Sequence, residues 1–133
     1  MADYNCVSRT NYFRGKDVPA FKAWAKQRGL EIFTSEDHAG QFALAPGDDY
    51  YGAFPSHDGE TNEDIDFVRE LSAHLEERSV AVILEAGAEK LRYINGYAIA
   101  VNARGESVQL FLDDIYQLAA QAFPGSDITR AEY

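Results

Sequence analysis

Residues 79–112 read SVAVILEAGAEKLRYINGYAIAVNARGESVQLFL, and this stretch decides the fold. Residues 79–86 are a dense apolar run, which predicts a central strand, and Gly87-Ala88-Glu89 is predicted to turn the chain. Asn95-Gly96, within residues 91–101, is a strong hairpin signal. A turn there would leave two strands of only about four or five residues. We therefore favour one long strand, with Gly96 at a bulge or a close backbone approach.

The chain after this strand is predicted to finish a meander and then form a helix. Residues 102–105 give a turn and residues 106–112 a further strand. Asp113 is a candidate cap for a last helix that Pro124-Gly125 ends. The residues of this helix that we expect to face inward are Ile115, Leu118, Ala119 and Ala122. Residues 126–133 are predicted to be a frayed tail.

The chain before residue 79 is predicted to supply three strands and two helices. A strand over residues 6–14 is closed by Gly15, and Asp17 caps a helix that runs to Gly29. This helix has Phe21, Trp24 and Ala25 on one face. Residues 30–34 and 41–45 are predicted to form a hairpin. Residues 46–64 are predicted to be a long acidic loop, and the second helix then runs to about Glu77 with Asp64 or Asp66 as its cap.

These elements define a fold class. Their order is β-α-β-β-α-β-β-β-α, and the last three strands form a meander. We therefore expect a single α+β domain over residues 1–133, with a mostly antiparallel sheet and the helices packed on one face.

The composition excludes several classes of protein. The chain has 133 residues, with 12 Lys and Arg against 22 Asp and Glu, for a formal net charge of −10. A chain this acidic repels nucleic acid and anionic membranes, so we expect it to bind neither directly. The first residues lack the pattern of a signal peptide, and no apolar run approaches the roughly 18 residues of a membrane span. These features predict a cytoplasmic protein, and they leave its oligomeric state open.

The chemistry-bearing residues form no recognisable catalytic or metal-binding motif. Cys6 is the only cysteine, which excludes an intramolecular disulfide and a multi-cysteine zinc site. Residues 58–66 place oxygen ligands as the first half of a calcium loop does, but Glu63 replaces the expected glycine and Arg69 the bidentate glutamate. Tyr and Glu residues of the sheet, Glu85, Glu89, Tyr93 and Tyr97, are more typical of packing and solvation than of acid–base catalysis. We predict no metal, no cofactor and no catalytic residue.

The negative charge is concentrated in one segment. Residues 31–77 contain thirteen acidic residues and one arginine, a net of −12, whereas residues 1–30 are net +4. Duplex DNA carries one charge per ~1.7 Å, so this excess corresponds to roughly 20 Å of duplex, or about six base pairs. Aromatic residues within the segment are candidate anchors for a partner. The predicted partner-binding residues are Asp48, Asp49, Tyr50, Tyr51, Phe54, Asp58, Glu60, Glu63, Asp64 and Asp66.

Three stretches together carry a family resemblance. They are residues 8–17 (SRTNYFRGKD), residues 80–102 with Ala88-Glu89-Lys90-Leu91-Arg92-Tyr93 at their centre, and residues 112–116 (LDDIY). Over residues 7–122 the chain resembles small acidic accessory proteins of phages, plasmids and other mobile elements. This resemblance implies a role against host defence, of the anti-CRISPR or anti-restriction kind, and it assigns no active-site residue. Gly15 stands where a strand-forming residue would be expected in relatives.

Charge and resemblance lead to two hypotheses. In the first, the chain is a non-enzymatic DNA mimic whose acidic residues block the basic nucleic-acid groove of a host defence complex. In the second, it is an adaptor or immunity-type protein that binds another protein through its sheet, and its acidity serves solubility. A steep loss of affinity with salt would favour the first hypothesis.

Overall fold

The computed structural model describes residues 4–48, 51–90 and 93–131. Within these residues the chain forms strands and three α-helices, together with a short 3₁₀ turn over Glu36–His38. In chain order the elements are β1 (Tyr4–Thr10), α1 (Val18–Gln27), β2 (Glu31–Phe33), β3 (Ala43–Ala45), β4 (His57–Asp58), β5 (Glu63–Asp64), α2 (Phe67–Ala73), β6 (Val80–Glu89), β7 (Tyr93–Asn102), β8 (Ser107–Phe111) and α3 (Asp114–Ala122).

A four-stranded antiparallel sheet with the order β1-β6-β7-β8 organises the fold. The expectation of an α+β fold with a mostly antiparallel sheet is confirmed. Alternate residues of the strands face opposite sides. The inner face carries buried residues such as Ile83 and Val101, and α1 and α2 contribute Phe21, Trp24 and Leu71 to the same core. The outer face carries exposed apolar residues instead.

The long strand predicted around Asn95-Gly96 is confirmed. β7 runs through both residues, and Gly96 pairs with Ala86 of β6 in continuous register. A methyl group at the Cα of Gly96 would come within 2.9 Å of Leu112 Cδ1. Gly96 therefore marks a close approach of the segment that follows β8, and the pairing with β6 contains no extra residue.

The predicted turn at Gly87-Ala88-Glu89 is wrong, because β6 continues through these residues and pairs with β1 and β7. A methyl group at the Cα of Gly87 would lie 2.6 Å from Cys6 Cβ and 2.7 Å from the carbonyl oxygen of Asn5. Gly87 is thus explained by the close passage of β1. From the sequence alone, Gly87 indicates a turn, because the strand that passes close to it is 81 residues away in the chain.

β1 ends at Thr10, earlier than the predicted strand over residues 6–14. The backbone N–H of Asn11 still donates to the carbonyl oxygen of Val82 at 3.1 Å. The side chain of Asn11 adds two bonds to β6: its Nδ2 donates to the carbonyl oxygen of Val80 at 3.0 Å, and its Oδ1 accepts from the backbone N–H of Val82 at 2.7 Å. Phe13 then leaves the sheet and forms an isolated bridge with Phe42. This bridge carries the buried ring of Phe13 into the core.

Helices α1 and α2 begin at carboxylate caps. Asp17 Oδ1 accepts from the backbone N–H of Ala20 at 3.1 Å, and Asp66 Oδ1 accepts from that of Arg69 at 3.1 Å. These bonds satisfy backbone donors that have no partner within the helix. Of the two caps considered for α2, Asp66 is the one used, and α2 ends at Ala73 rather than near Glu77.

The predicted inward orientation of α3 is wrong. None of its residues is buried, and Ile115 and Leu118 are each 58% exposed. Asp113 occupies the N-cap position, but its side chain makes no capping bond to the helix, while Asp114 Oδ2 accepts from the backbone N–H of Phe111 at 2.7 Å. The packing of helices on the sheet is therefore limited to α1 and α2.

The segment after α3 turns back onto this helix instead of fraying over its described residues. Arg130 pairs with Asp113 at 3.0 Å and lies over the ring of Tyr116, and the backbone N–H of Ala131 donates to the Tyr116 hydroxyl at 2.6 Å. No helix among the described residues is both long and apolar enough to cross a bilayer.

Candidate functional site

The acidic loop over residues 46–64 is tied to the body of the protein at several points. The backbone of Gly47 packs directly on the carbonyl group of Gly29, so that even a methyl group would not fit between them. Gly52 makes an equally close approach to the Cys6 carbonyl group in β1, with a φ of +91° that favours glycine. The loop is thus held against both α1 and the sheet before it reaches the β4–β5 hairpin.

Phe54 does not belong to an exposed binding surface. Its ring is 9% exposed and stacks on Phe67 at 4.5 Å between centroids. This burial in the core of α2 and the sheet speaks against the predicted anchoring role of Phe54, because it keeps the ring from a partner. Tyr51, in contrast, is 88% exposed and remains a candidate anchor. Asp49 and Tyr50 lie outside the described residues.

Asp58 stabilises the β4–β5 hairpin from within. Its Oδ1 accepts from the backbone N–H groups of Glu60 at 2.9 Å and Thr61 at 3.4 Å, and its Oδ2 pairs with Arg28 at 3.3 Å. The backbone hydrogen bonds, reinforced by Arg28, lower the pKa of the Asp58 carboxyl. Asp58 is thus engaged inside the protein, and its predicted role as a contact for a partner competes with these bonds.

Arg28 connects the hairpin to both helices of the core layer. Its Nε and Nη2 each donate to the Glu70 carboxylate at 2.9 Å, and Trp24 Nε1 donates to the same carboxylate at 2.8 Å. Burial opposes ionisation of Glu70, but the hydrogen bonds from Arg28 and Trp24 outweigh it and leave the pKa of Glu70 below its usual value. This network has no signal in the sequence, because its partners are separated by 30 to 46 residues.

Four of the predicted binding residues remain exposed on one short segment. They are Glu60, Glu63, Asp64 and Asp66, which we call the acidic hairpin surface. Asp64 is 97% exposed and has His57 Nδ1 at 3.4 Å. Asp48 is also exposed, at the start of the loop. The structure therefore places four carboxylates within seven residues: Glu60, Glu63 and Asp64 lie on the β4–β5 hairpin, and Asp66 caps α2 directly after it. The turn of the hairpin is tied to Arg28 through Asp58.

A second polar cluster lies on the inner face of the sheet. Ser8, Glu85 and Tyr97 are cross-strand neighbours; Glu85 Oε1 accepts from Ser8 Oγ at 3.1 Å and from the Tyr97 hydroxyl at 3.3 Å. Burial, followed by the Glu85 carboxylate, raises the pKa of Tyr97 to about 12. Burial and Glu85 also raise the pKa of the Cys6 thiol.

The pKa shifts of this cluster lead away from neutral pH. An efficient general acid or base has a pKa near the working pH, and a reactive cysteine has a lowered pKa. Tyr97 and Cys6 are shifted in the other direction. Among the residues in the three described ranges, no group of three or more His, Cys, Asp or Glu side chains is arranged to hold a metal ion.

Comparisons of the chain with protein-family models, with curated proteins and with solved structures find no match. The resemblance to acidic accessory proteins of mobile elements therefore stays a prediction.

Proposed function

We propose that the chain is a non-enzymatic protein that binds a basic surface of another protein through the acidic hairpin surface. The observation that carries this proposal is the exposure of Glu60, Glu63 and Asp64 on one anchored hairpin, with Asp66 exposed at the cap of α2 directly after it. Carboxylates presented together make the local electrostatic potential more negative, which speeds encounter with a basic partner and selects against acidic ones.

The anchoring of the hairpin supports its role as a recognition element. Asp58 bonds the hairpin turn and pairs with Arg28, and Arg28 is itself held by Glu70. A segment that is already ordered loses less conformational entropy when it binds. The hairpin is therefore suited to present its charges in one arrangement, with Tyr51 in the same loop as a candidate aromatic contact.

The finer proposal concerns the partner. We infer that it is the basic nucleic-acid groove of a host defence complex in the cytoplasm, and that the bound chain excludes DNA or RNA from this groove. The excess charge of residues 31–77 and the resemblance to accessory proteins of mobile elements support this inference. The groove of such a complex is built for a chain of phosphates, so closely spaced carboxylates are chemically matched to it.

A second candidate function is favoured by a separate observation. The outer face of the sheet exposes Val7, Leu84 and Leu110, each more than half accessible. An adaptor or immunity-type protein would bind its partner through such an apolar face, and the carboxylates would then serve solubility.

The first function is tested by competition with nucleic acid. Protein captured from a nuclease-treated lysate is identified, and its binding to a labelled duplex is measured with increasing amounts of the chain. We expect the wild-type chain to displace the duplex and the variant E60Q/E63Q/D64N/D66N to lose most of this ability. The control E36Q/E76Q/E77Q/D127N makes the same change in net charge at exposed positions elsewhere and should still compete. Equal competition by both variants would contradict the proposal.

A further inference from the structure

The outer face of the sheet forms an apolar groove. Its floor is made of small residues, including Gly96 and Ala98, and larger side chains rise around it, including Val7, Leu84 and Leu110. The groove has a volume of about 430 Å³, and Val7 is 69%, Leu84 51% and Leu110 58% exposed. A floor of small residues between larger ones is shaped to receive the side chains of a helix or strand.

Helix α3 has an apolar side that is not covered. It starts at Asp114, three residues after β8 ends at Phe111, and none of its residues is buried. Ile115 and Leu118 lie one turn apart on the same side, and each is 58% exposed. An amphipathic helix of this kind normally buries its apolar side against another element.

The apolar side of α3 and the outer sheet face are continuous. A second groove, of about 540 Å³, is bordered by Leu110 and Leu112 from the end of β8 and by Ile115 and Leu118 from α3. One surface of the chain thus carries both the outer sheet groove and the uncovered apolar side of a helix. A twofold-symmetric contact requires such a self-complementary surface, because the same patch meets its own copy.

We propose that this surface joins two copies of the chain, with α3 of each copy packed in the outer sheet groove of the other. The contact would cover the apolar side of both helices and both grooves in a single arrangement. A different protein would need to supply two separate elements, one for the groove and one that covers α3, whereas a second copy supplies both with the same surface.

The exposed apolar area meets the lower limit for a dimer interface. Eight large apolar residues of the surface are 50–72% exposed: Val7, Leu84, Ile94, Val108, Leu110, Leu112, Ile115 and Leu118. At roughly 60–70 Å² for each, they expose about 500 Å², before the alanines between them are counted. A specific interface buries at least about 1,000 Å² in total, or about 500 Å² per partner.

The charge of the chain sets the expected salt dependence. Two copies with a net charge of −10 each repel one another, and salt screens this repulsion. Self-association through an apolar surface should therefore strengthen or stay constant as salt is raised. Binding of a basic partner through carboxylates should weaken as salt is raised. The failure of the dimer proposal is therefore distinguishable from the failure of the proposed function.

The first test is sedimentation of the full chain over a range of concentrations. We expect a dimer, and we expect Leu118→Glu to weaken dimerisation at least tenfold because it places a charge in the apolar contact. Ala120→Glu adds the same charge to the same helix at an exposed position away from Leu118 and should leave the dimer intact. A chain that stays monomeric up to about 100 μM, or a dimer that is equally stable with Leu118→Glu, would overturn the proposal.

The second test identifies the contacting elements by crosslinking. In a Cys6→Ser background, Ala98→Cys and Leu118→Cys are prepared as separate variants and mixed under mild oxidation. Helix-on-sheet packing predicts that the mixture gives a disulfide-linked pair containing one copy of each variant. Crosslinking only within the Ala98→Cys sample or only within the Leu118→Cys sample would overturn it, since those results indicate sheet–sheet or helix–helix contact. This assay does not depend on a variant that introduces a charge.

Discussion

Replacing Arg28 with alanine should detach the β4–β5 hairpin and α2 from the end of α1. Arg28 donates two hydrogen bonds of 2.9 Å to Glu70 and one of 3.3 Å to Asp58. Its side chain is 16% exposed, and that of Glu70 is 29% exposed. The substitution removes all three bonds and leaves the Glu70 carboxylate with Trp24 as its remaining donor among those described.

The expected loss of stability lies between two limits. An exposed ion pair contributes about 0–1 kcal/mol, and removal of one partner from a fully buried pair costs about 3–5 kcal/mol. The Arg28–Glu70 pair is mostly buried, and Trp24 still bonds the carboxylate, so we expect Arg28→Ala to lower the free energy of unfolding by about 2 kcal/mol. With a typical denaturant dependence, the urea midpoint should fall by about 1 M.

Urea unfolding followed by tryptophan fluorescence measures this change, since Trp24 is the only tryptophan and contacts Glu70 directly. Arg104→Ala is the matched control, because Arg104 pairs with Glu106 at 3.7 Å while both side chains are mostly exposed. Its effect should be below about 0.5 kcal/mol. If Arg28→Ala lowers the free energy of unfolding no more than Arg104→Ala does, the Arg28 network does not hold the hairpin.

The contribution of Arg28 should also depend on pH. The folded protein lowers the pKa of Glu70 and of Asp58, so each ionised carboxylate stabilises the fold above its unfolded pKa of about 4. This stability is lost as the pH falls through the lower folded pKa. The difference between wild type and Arg28→Ala should therefore be constant from about pH 6 to 8 and shrink below about pH 4. A difference that stays constant down to pH 2 would contradict this reading.

Three further predictions test the placement of the loop and the sheet. Phe54→Ala should lower the free energy of unfolding by about 3–5 kcal/mol because it empties a core position. Tyr51→Ala is the control and should change the free energy of unfolding by less than about 0.5 kcal/mol. Similar losses for the two variants would contradict the burial of Phe54. Gly47→Ala should lower the free energy of unfolding by about 1–3 kcal/mol, since the backbone of Gly29 leaves no room for a methyl group. Gly59→Ala should lower it by less than about 1 kcal/mol, because nothing lies within 4 Å of the added carbon. Ultraviolet absorbance should show Tyr97 ionising near pH 12, compared by difference with Tyr97→Phe; ionisation near pH 10 would contradict its burial beside a carboxylate.

The parts of the fold that were predictable are those with local signals. Asp17 caps α1 as expected, and the polar turn after Asn102 separates β7 from β8. The choice of one long strand through Gly96 was also correct, because the turn at 102–105 left two strands of even length. These signals act within a few residues and so are visible in the chain itself.

The parts that were not predictable depend on distant contacts. The apolar spacing of Ile115 and Leu118 indicates a helix with one apolar side, but it does not say which surface covers that side. Phe54 sits among Gly, Pro and Asp residues that are typical of an exposed loop, and only its stacking on Phe67 explains its burial. Gly87 was assigned to a turn because the approach of Cys6 is not visible in the sequence.

For the candidate site, the sequence shows where the negative charge is concentrated. It does not show which carboxylates bond inside the protein and which stay exposed. The count of acids in residues 31–77 located the acidic segment correctly. It did not separate Asp58 and Glu70, which bond Arg28 inside the protein, from the exposed carboxylates of the acidic hairpin surface. That separation requires the position of Arg28, which lies 30 and 42 residues away from its partners.

The most direct test of the account is the salt dependence of partner binding. The dissociation constant of the captured partner is measured between about 50 and 300 mM salt for the wild-type chain, for E60Q/E63Q/D64N/D66N and for E36Q/E76Q/E77Q/D127N. The account predicts a steep loss of affinity with salt for the wild type, a much flatter dependence for the first variant and a nearly unchanged one for the second. A flat dependence for the wild type, or the same slope in both variants, would contradict binding through the acidic hairpin surface.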